Sequence, residues 1–541
     1  MTIQIPKSIL SEQDVYIKKT LGFINSELSD DEFYHYASSM GVYRQREKGT
    51  FMIRPRIFSG VVTYKQLIKV LEIAKEFSGG EIHLTTRQSI QFHKLSLEDT
   101  THVISKLKLV DLVSKGAGGN SIRNIACPAS SGVDPDEVFD VTPHALSATE
   151  FALTLDGIVE LPRKYKIAFS NSSEDEAYAL YSDLGFIAKS ENDKRGFEVY
   201  VAGGLGGEPT VAFKFSDFID EDEIFAYILA MKRLFEDHGD RENRSKARIR
   251  FIRYRLGDIA FKDLYEKYIL TAAKDIKNSN WKSTVTFESS ETEVVSNKRY
   301  TISNDNFSDR RIRTQKQNGN YSFLVQPQKG DLKSCDIEKL IDFIEEYELK
   351  DVLEFRLSNE QALLVRNLSL EDANKLSTLF SDTNGKTNIE RSISCTGAKN
   401  CRIGLCDSQE LLKSILELSN TYEDRNKSKL PKLFISGCKN SCGWHWIGAL
   451  GFAGKKIKTA NGVKEGFEIY LAGNTGAKSS KLGSYIGILP NEEIILFLRI
   501  VFDKFIELGE SSFEVFISKQ SSFIREQVEK LTSEIIKNEV N

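Results

Sequence analysis

The strongest constraint on what this chain can fold into is that much of it is written twice. LSLED stands at residues 95–99 and again at 368–372. The preceding segment TTRQSIQFHK, residues 85–94, lies over SNEQALLVRN, residues 358–367. GFEVYVAGGLG at 196–206 matches GFEIYLAGNTG at 466–476, and LPRKYK at 161–166 matches LPKLFI at 430–435. Four separated matches at nearly one offset, about 270 residues, imply an internal duplication of two halves related by a pseudo-twofold. Between them, a polar, aliphatic-poor stretch at 283–318 reads as a linker.

Each half opens with an alternating strand, then an amphipathic helix, then two short strands. Leu67, Val70, Leu71 and Ala74 recur at helical spacing in the first copy, and Ile337, Leu340, Ile341 and Ile344 in the second. EIHLTT and SIQFHKL alternate as half-buried strands. The expected class is α+β, sheets covered by helices. With 73 Lys+Arg against 77 Asp+Glu, the balance of −4 speaks against a nucleic-acid or membrane-surface partner. The N-terminus lacks a secretory pattern and no run of about 18 apolar residues occurs, so the chain reads as cytoplasmic.

Seven cysteines are present, four of them in two tight pairs: Cys395 and Cys401 with five residues between, then Cys438 and Cys442 with three. Four thiolates bind zinc or an iron–sulfur cluster, and neither pair has the two-residue spacing of zinc knuckles. Cys127, Cys335 and Cys406 are left over and read as packing residues. Glycines flank the second pair, at Gly437 and Gly443. Trp444, His445 and Trp446 follow it; the tryptophans read as core or as a shield for the cluster, the histidine as a hydrogen-bonded structural residue.

The pattern C-x5-C…C-x3-C, together with the duplication, resembles the sirohaem-containing sulfite and nitrite reductases. The resemblance covers nearly the whole chain. It implies a [4Fe–4S] cluster on Cys395, Cys401, Cys438 and Cys442, with Cys442 bridging to the sirohaem iron. It also implies ferredoxin-like half-domains at 1–118 (with an N-terminal arm) and 319–385. Larger repeat domains follow at 119–282, which binds sirohaem, and 386–541, which carries the cluster. In the first half the resemblance assigns Arg87, Arg123, Lys164 and Lys166 to the substrate face. Cations next to a bound anion neutralise it and donate charge-assisted hydrogen bonds as its oxygens leave. At the repeat position of Arg87 the second half has Glu360, so one half supplies thiolates and the other cations.

Sirohaem is rich in carboxylates and demands further cations. Arg54 and Arg56 in FMIRPR are expected on one face of a strand. Arg244, Lys246 and Arg248 in RENRSKARIRF, and Asn124 beside Arg123, are expected in the same shell. The segment Lys164-Tyr165-Lys166 is similar to the lysine–aromatic–lysine of sulfite-reducing members, whereas plant-type nitrite reductases resemble Lys-Trp-Asn. A second lysine suits a dianion, so sulfite is expected. CTGAKNC and GVYRQREKGTFMIRPR, by contrast, look like the ferredoxin-dependent branch; a ferredoxin-type sulfite reductase reconciles the two. No G-x-G-x-x-G opens a helix after a strand, so six single electrons must come from a separate donor, a ferredoxin or another reductase protein. The alternatives are a nitrite reductase, a cobalamin-pathway monooxygenase relative, which has no need of the four cations, and an iron–sulfur electron-transfer protein without sirohaem.

Overall fold

The computed structural model describes residues 3, 5–279, 281–285, 309–383, 385–459 and 462–540. Residues 286–308 of the expected linker lie outside the described residues. Among the described residues the three largest apolar cores are one shared by the two ferredoxin-like sheets, one built from Ile9 and residues between Val113 and Ala272, and one between Ile389 and Leu531.

The repeated words explain themselves locally. In LSLED the leucine ends a strand and the serine caps the next helix. Ser96 Oγ accepts from Asp99 N at 3.0 Å, and Ser369 Oγ from Asp372 N at 3.1 Å. The preceding helices, Tyr64–Phe77 and Ser334–Glu346, turn Leu67, Val70, Ile73 and Ala74, or Ile337, Leu340, Ile341 and Ile344, into the shared core. In the other repeat, GFE opens the last stretch of a strand: a Cβ on Gly196 would stand 2.1 Å from Ile219 O, and one on Gly466 2.2 Å from the Ile457 side chain.

Each ferredoxin-like sheet has four strands of its own and a fifth borrowed from the other half. Val61–Val62 adds to the edge of Glu354–Leu357, and Asp331–Lys333 to the edge of Glu81–Leu84, both antiparallel. Two glutamines at matching positions lock the exchange. Gln88 Nε2 donates to Leu357 O (2.7 Å) and Cys127 O (2.6 Å) while its Oε1 accepts from Cys127 N. Gln361 Nε2 donates to Leu84 O (3.1 Å) and Ser394 O (2.9 Å) while its Oε1 accepts from Ser394 N. Both are buried and left-handed, φ 51° and 60°. Gln361→Leu strands backbone groups in a buried seam and is expected to cost about 1–3 kcal/mol, read as a lowered thermal midpoint with unchanged far-UV circular dichroism.

The two larger domains carry related sheets. The first runs Phe213–Asp220, Lys194–Val201, Leu184–Glu191, Ile167–Ser170; the second runs from Ser484–Pro490 through Gly462–Leu471, Leu450–Thr459 and Phe434–Ser436 to Ile393–Ser394. Tyr178 and Trp444 occupy matching turns, both left-handed, and meet edge to face with ring centres 4.1 Å apart. The pseudo-twofold thus brings the end of the second cysteine pair against the first half. No helix among the described residues is long and apolar enough to cross a membrane.

Candidate functional site

A cavity of about 590 Å³ opens between the halves, within the range of small-molecule and cofactor sites. From the first half Tyr43, Arg54, Arg87, Arg123, Lys164 and Lys166 line it; from the second, Cys395, Cys401, Cys442 and Trp444. The structure therefore joins the expected thiol half to the expected cation half. Thr86 Oγ1 donates to Cys442 O at 2.9 Å, stitching the loop before Arg87 to the thiol loop.

The thiol loops are shaped by close backbone approach. A Cβ on Gly443 would sit 1.9 Å from Ile435 O, and one on Gly437 2.6 Å from Cys406 O. These glycines are required first by the protein's own strand and loop. Gly437 N donates to Cys395 Sγ at 3.1 Å, and Ser408 Oγ lies 3.3 Å from it. Burial above all, with the neighbouring Cys442 thiol adding to it, pushes Cys395 up to about 12 and Cys438 up to about 11. Among the described residues no three His, Cys, Asp or Glu side chains are set as a single metal ion needs. Cys395, Cys401 and Cys442 line the cavity, Cys438 does not, and the Cys442 thiol acts on the titration of each of the other three; four thiols are a donor set that suits an iron–sulfur cluster.

The cations are held with charge to spare. Arg87 Nη2 donates to Ile167 O (2.9 Å); Arg123 donates to Ala117 O (2.9 Å) and Gly119 O (2.7 Å). The Nε of each, and Asn124 Oδ1, are buried with no partner among the described residues. Lys164 and Lys166 are half-buried at the cavity. Neither forms an ion pair among the described residues. Burial and the neighbouring cations, Arg248 foremost, push Lys164 down to about 7; burial, Arg87 and Lys164 push Lys166 well below the usual lysine range. Burial likewise lowers Arg87 to about 9 and Arg123 to about 10. Unneutralised cations around one cavity fit a guest with several negative charges, as a carboxylate-rich tetrapyrrole beside an anionic substrate would be.

This carries a sign that can be checked. Above the ordinary lysine value of 10.5 Lys164 is neutral in both folded and unfolded chains. As pH falls from there to about 7 only the unfolded chain gains the proton, so the folded state loses ground; below 7 the penalty is complete. Cofactor-free Lys164→Met is therefore expected to exceed the cofactor-free parent in stability by up to about 4 kcal/mol near neutrality, the gap closing as pH rises toward 10.5. Denaturant midpoints across that range test it.

Other expected residues lie elsewhere. The strand expected to carry Arg54 and Arg56 ends at Ile53, because Pro55 lacks the N–H a ladder needs. Arg54 borders the cavity and donates to Ala117 O, whereas Arg56 is 1 % exposed, bonded to the carbonyls of Ile122 and Arg123, and does not line it. Arg248 is engaged by Asp183 through Nε and Nη2 (3.1 and 2.8 Å), and Asp183 also accepts from Lys166 N. Arg244 is exposed, and Lys246 pairs with Glu208. Asn124 borders the cavity. Glu360 is neutralised within its own half by Arg391 and Lys432.

Arg163, Arg402 and Tyr43 line the cavity without having been singled out as site residues. Arg163 had a signal, its place beside Lys164 on one strand; Arg46, which bonds the carbonyls of Cys401 and Gly404, had none. Cys127 is buried and points to Pro128 O and Thr142, away from the cavity; Cys406 is buried. Cys335, expected to pack, is exposed on its helix. His445, expected to be hydrogen-bonded, is fully buried between Trp446 and Tyr470, and neither ring nitrogen has a partner among the described residues.

Residues 118–271 and 385–512 match the family described as nitrite and sulphite reductase 4Fe-4S domain, and residues 43–110 the nitrite/sulfite reductase ferredoxin-like half domain. An assimilatory ferredoxin-dependent nitrite reductase of Haloferax mediterranei is 26% identical over 86% of this chain and 81% of its own. A sulfite reductase [NADPH] hemoprotein beta-component of Anoxybacillus flavithermus is also 26% identical, over 90% and 86%. The structure of the Mycobacterium tuberculosis NirA protein superposes with a TM-score of 0.77 at 21% identity, covering 91% of each chain, which establishes the common fold. With the duplicated halves, the four thiols and the cation-lined cavity between them, these matches make the chain a member of the nitrite and sulfite reductase family, an oxidoreductase whose cofactors are sirohaem and a [4Fe–4S] cluster.

Proposed function

We propose that the chain reduces sulfite to sulfide in six one-electron steps, drawing electrons from a separate small donor such as a ferredoxin. The observation that carries this reading is Lys166, a second lysine beside Lys164 that lines the cavity and forms no ion pair among the described residues, with Asp183 the one carboxylate acting on it. Sulfite near neutral pH is substantially a dianion and gains more from that second charge than nitrite does.

In this reading Cys395, Cys401, Cys438 and Cys442 would hold the cluster, and Cys442 would also hold the sirohaem iron. Arg54, Arg163 and Asn124 face the tetrapyrrole's carboxylates; Arg248, tied to Asp183, adds to the positive field without direct contact. When bound, the two cofactors supply single electrons and an iron that coordinates the anion. The protein's part is electrostatic and acid–base. Arg87 and Arg123, fixed by backbone carbonyls, keep a guanidinium edge toward the anion and stabilise charge that builds on its oxygens. Lys164, lowered to about 7, is poised to give the proton on Nζ to a departing oxygen at working pH and to regain it from water.

Turnover with reduced methyl viologen, comparing kcat/KM for sulfite and nitrite, tests the reading. Sulfite is expected to be preferred, and Lys166→Asn to move the ratio toward nitrite by about 10-fold or more. A parent that reduces only nitrite would overturn it. Reduction of nitrite to ammonia is the second reading. Ferredoxin-dependent nitrite reductases from Haloferax and from Synechococcus elongatus, each 26% identical, support it, as does the CTGAKNC cluster loop. A ferredoxin donor is inferred from the same relatives.

A further inference from the structure

The tryptophans after Cys442 have no part in the reaction proposed above, yet Trp444 stands at the cavity and Trp446, in the same apolar cluster, begins a file of aromatic rings that runs to water. Trp444 borders the cavity, is 7 % exposed, and packs in one apolar cluster with Trp446, Tyr178 and Phe434. The Trp446 ring centre is 4.2 Å from that of Tyr470, and its indole N–H donates to Gly206 O at 3.0 Å. Tyr470 is 5 % exposed and lies 6.0 Å from Tyr485, its register partner on the neighbouring strand. Tyr485 is 53 % exposed.

The surroundings suit one-electron oxidation of these rings. The Tyr470 phenol donates to Glu468 Oε2 at 2.9 Å, so a carboxylate stands ready for the proton that must leave with the electron; Lys455 pairs with the same carboxylate. His445, packed against both Trp446 and Tyr470, is kept neutral by burial, so no imidazolium opposes a positive charge on the indole. Indole and phenol lose electrons only at potentials far above those of iron–sulfur clusters. The file is therefore useless for holding electrons on their way in from a low-potential donor, and suited to carrying oxidising equivalents out.

We infer that Trp444, Trp446, Tyr470 and Tyr485 form an exit path for oxidising equivalents that hydrogen peroxide leaves in the cofactor cavity when no reductant is at hand. Reduction of one peroxide to two waters consumes two electrons and two protons. Each electron in turn is drawn from Trp446 through Trp444. Tyr470 then refills Trp446, its phenolic proton passing to Glu468. Tyr485 refills Tyr470, which takes its proton back from Glu468, and the proton of Tyr485 goes to solvent. A soluble thiol or ascorbate reduces the tyrosyl radical left at the surface. None of this depends on which anion the enzyme reduces.

The test is site-specific radical trapping. Cofactor-loaded protein, its occupancy measured by tetrapyrrole absorbance, receives hydrogen peroxide in the presence of a nitroso spin trap, and adducts are located by peptide mass spectrometry. Tyr254 is the internal control: it is 49 % exposed, and its ring neighbour is Phe251. The expected result is an adduct at Tyr485 well above that at Tyr254, and no such preference in cofactor-free protein. Tyr470→Phe is expected to bring the Tyr485 adduct down to the Tyr254 level while oxidation of Trp444 and Trp446 rises. Tyr485→Phe, at an exposed ring, should leave anion turnover unchanged and move the label inward to Tyr470 or Trp446. Equal labelling of Tyr485 and Tyr254, or a Tyr485 adduct untouched by Tyr470→Phe, would overturn the path. Because labelling is read apart from turnover, either failure leaves the substrate reading standing, and a wrong substrate leaves the path standing.

Discussion

Cys442→Ser is expected to bring reduction of sulfite and of nitrite down to assay background and to deplete both cofactors, leaving a folded but colourless protein. Cys442 sits where the second-half thiol loop meets the first half, its carbonyl held by Thr86 and its thiol open to the cavity. A serine keeps the backbone contact and the shape but is a poor iron ligand, so the loss falls on cofactor retention. Iron and labile-sulfide content separate the two. The comparison protein is Cys335→Ser, whose thiol lies exposed on a helix and should change neither iron content nor rate.

Arg123→Gln is expected to lower kcat/KM for sulfite by on the order of 10²–10³ while cofactor content stays near that of the parent. Of the five N–H groups of Arg123, one on each Nη is spent on Ala117 O and Gly119 O, which fix the plane of the guanidinium, and the one on Nε is buried without a partner among the described residues. Glutamine loses the charge and the planar fork together. Lysine at the same place keeps the charge without the fork, so Arg123→Lys should recover part of the rate but not all of it. Anaerobic steady-state kinetics at matched cofactor occupancy measure both; equal rates for Gln and Lys would mean that charge at Arg123 plays no part.

What could be read from the sequence followed from what repeats write down. LSLED repeats because a strand end, a serine cap and an aspartate at the third helical position form one local unit, and local units leave words. The cluster pattern was legible because cysteine is sparse and its spacing is constrained by backbone close to the ligands. The strand exchange was not legible: Val61–Val62 and Asp331–Lys333 are two and three residues long, too short to show a period. Nor do Gln88 and Gln361 announce themselves, since a glutamine that bonds across a seam differs from a surface glutamine only in its surroundings. Arg56 was misplaced because alternation was carried past Ile53 through a proline, and Arg248 because a charge-rich run does not say that Asp183, 65 residues upstream, claims one of its members. Arg163 shows the opposite limit. It stands beside Lys164, but the family resemblance that assigned the substrate face named the two lysines alone.

The reading proposed here places two coupled iron cofactors in one cavity between two unlike halves. Its most direct test is the metal and chromophore content of the protein purified anaerobically from cells able to make sirohaem. The account predicts about five iron atoms and about four labile sulfides per chain, with tetrapyrrole absorption in proportion. About four irons without tetrapyrrole bands, or a single zinc ion bound by the four thiols, would contradict it.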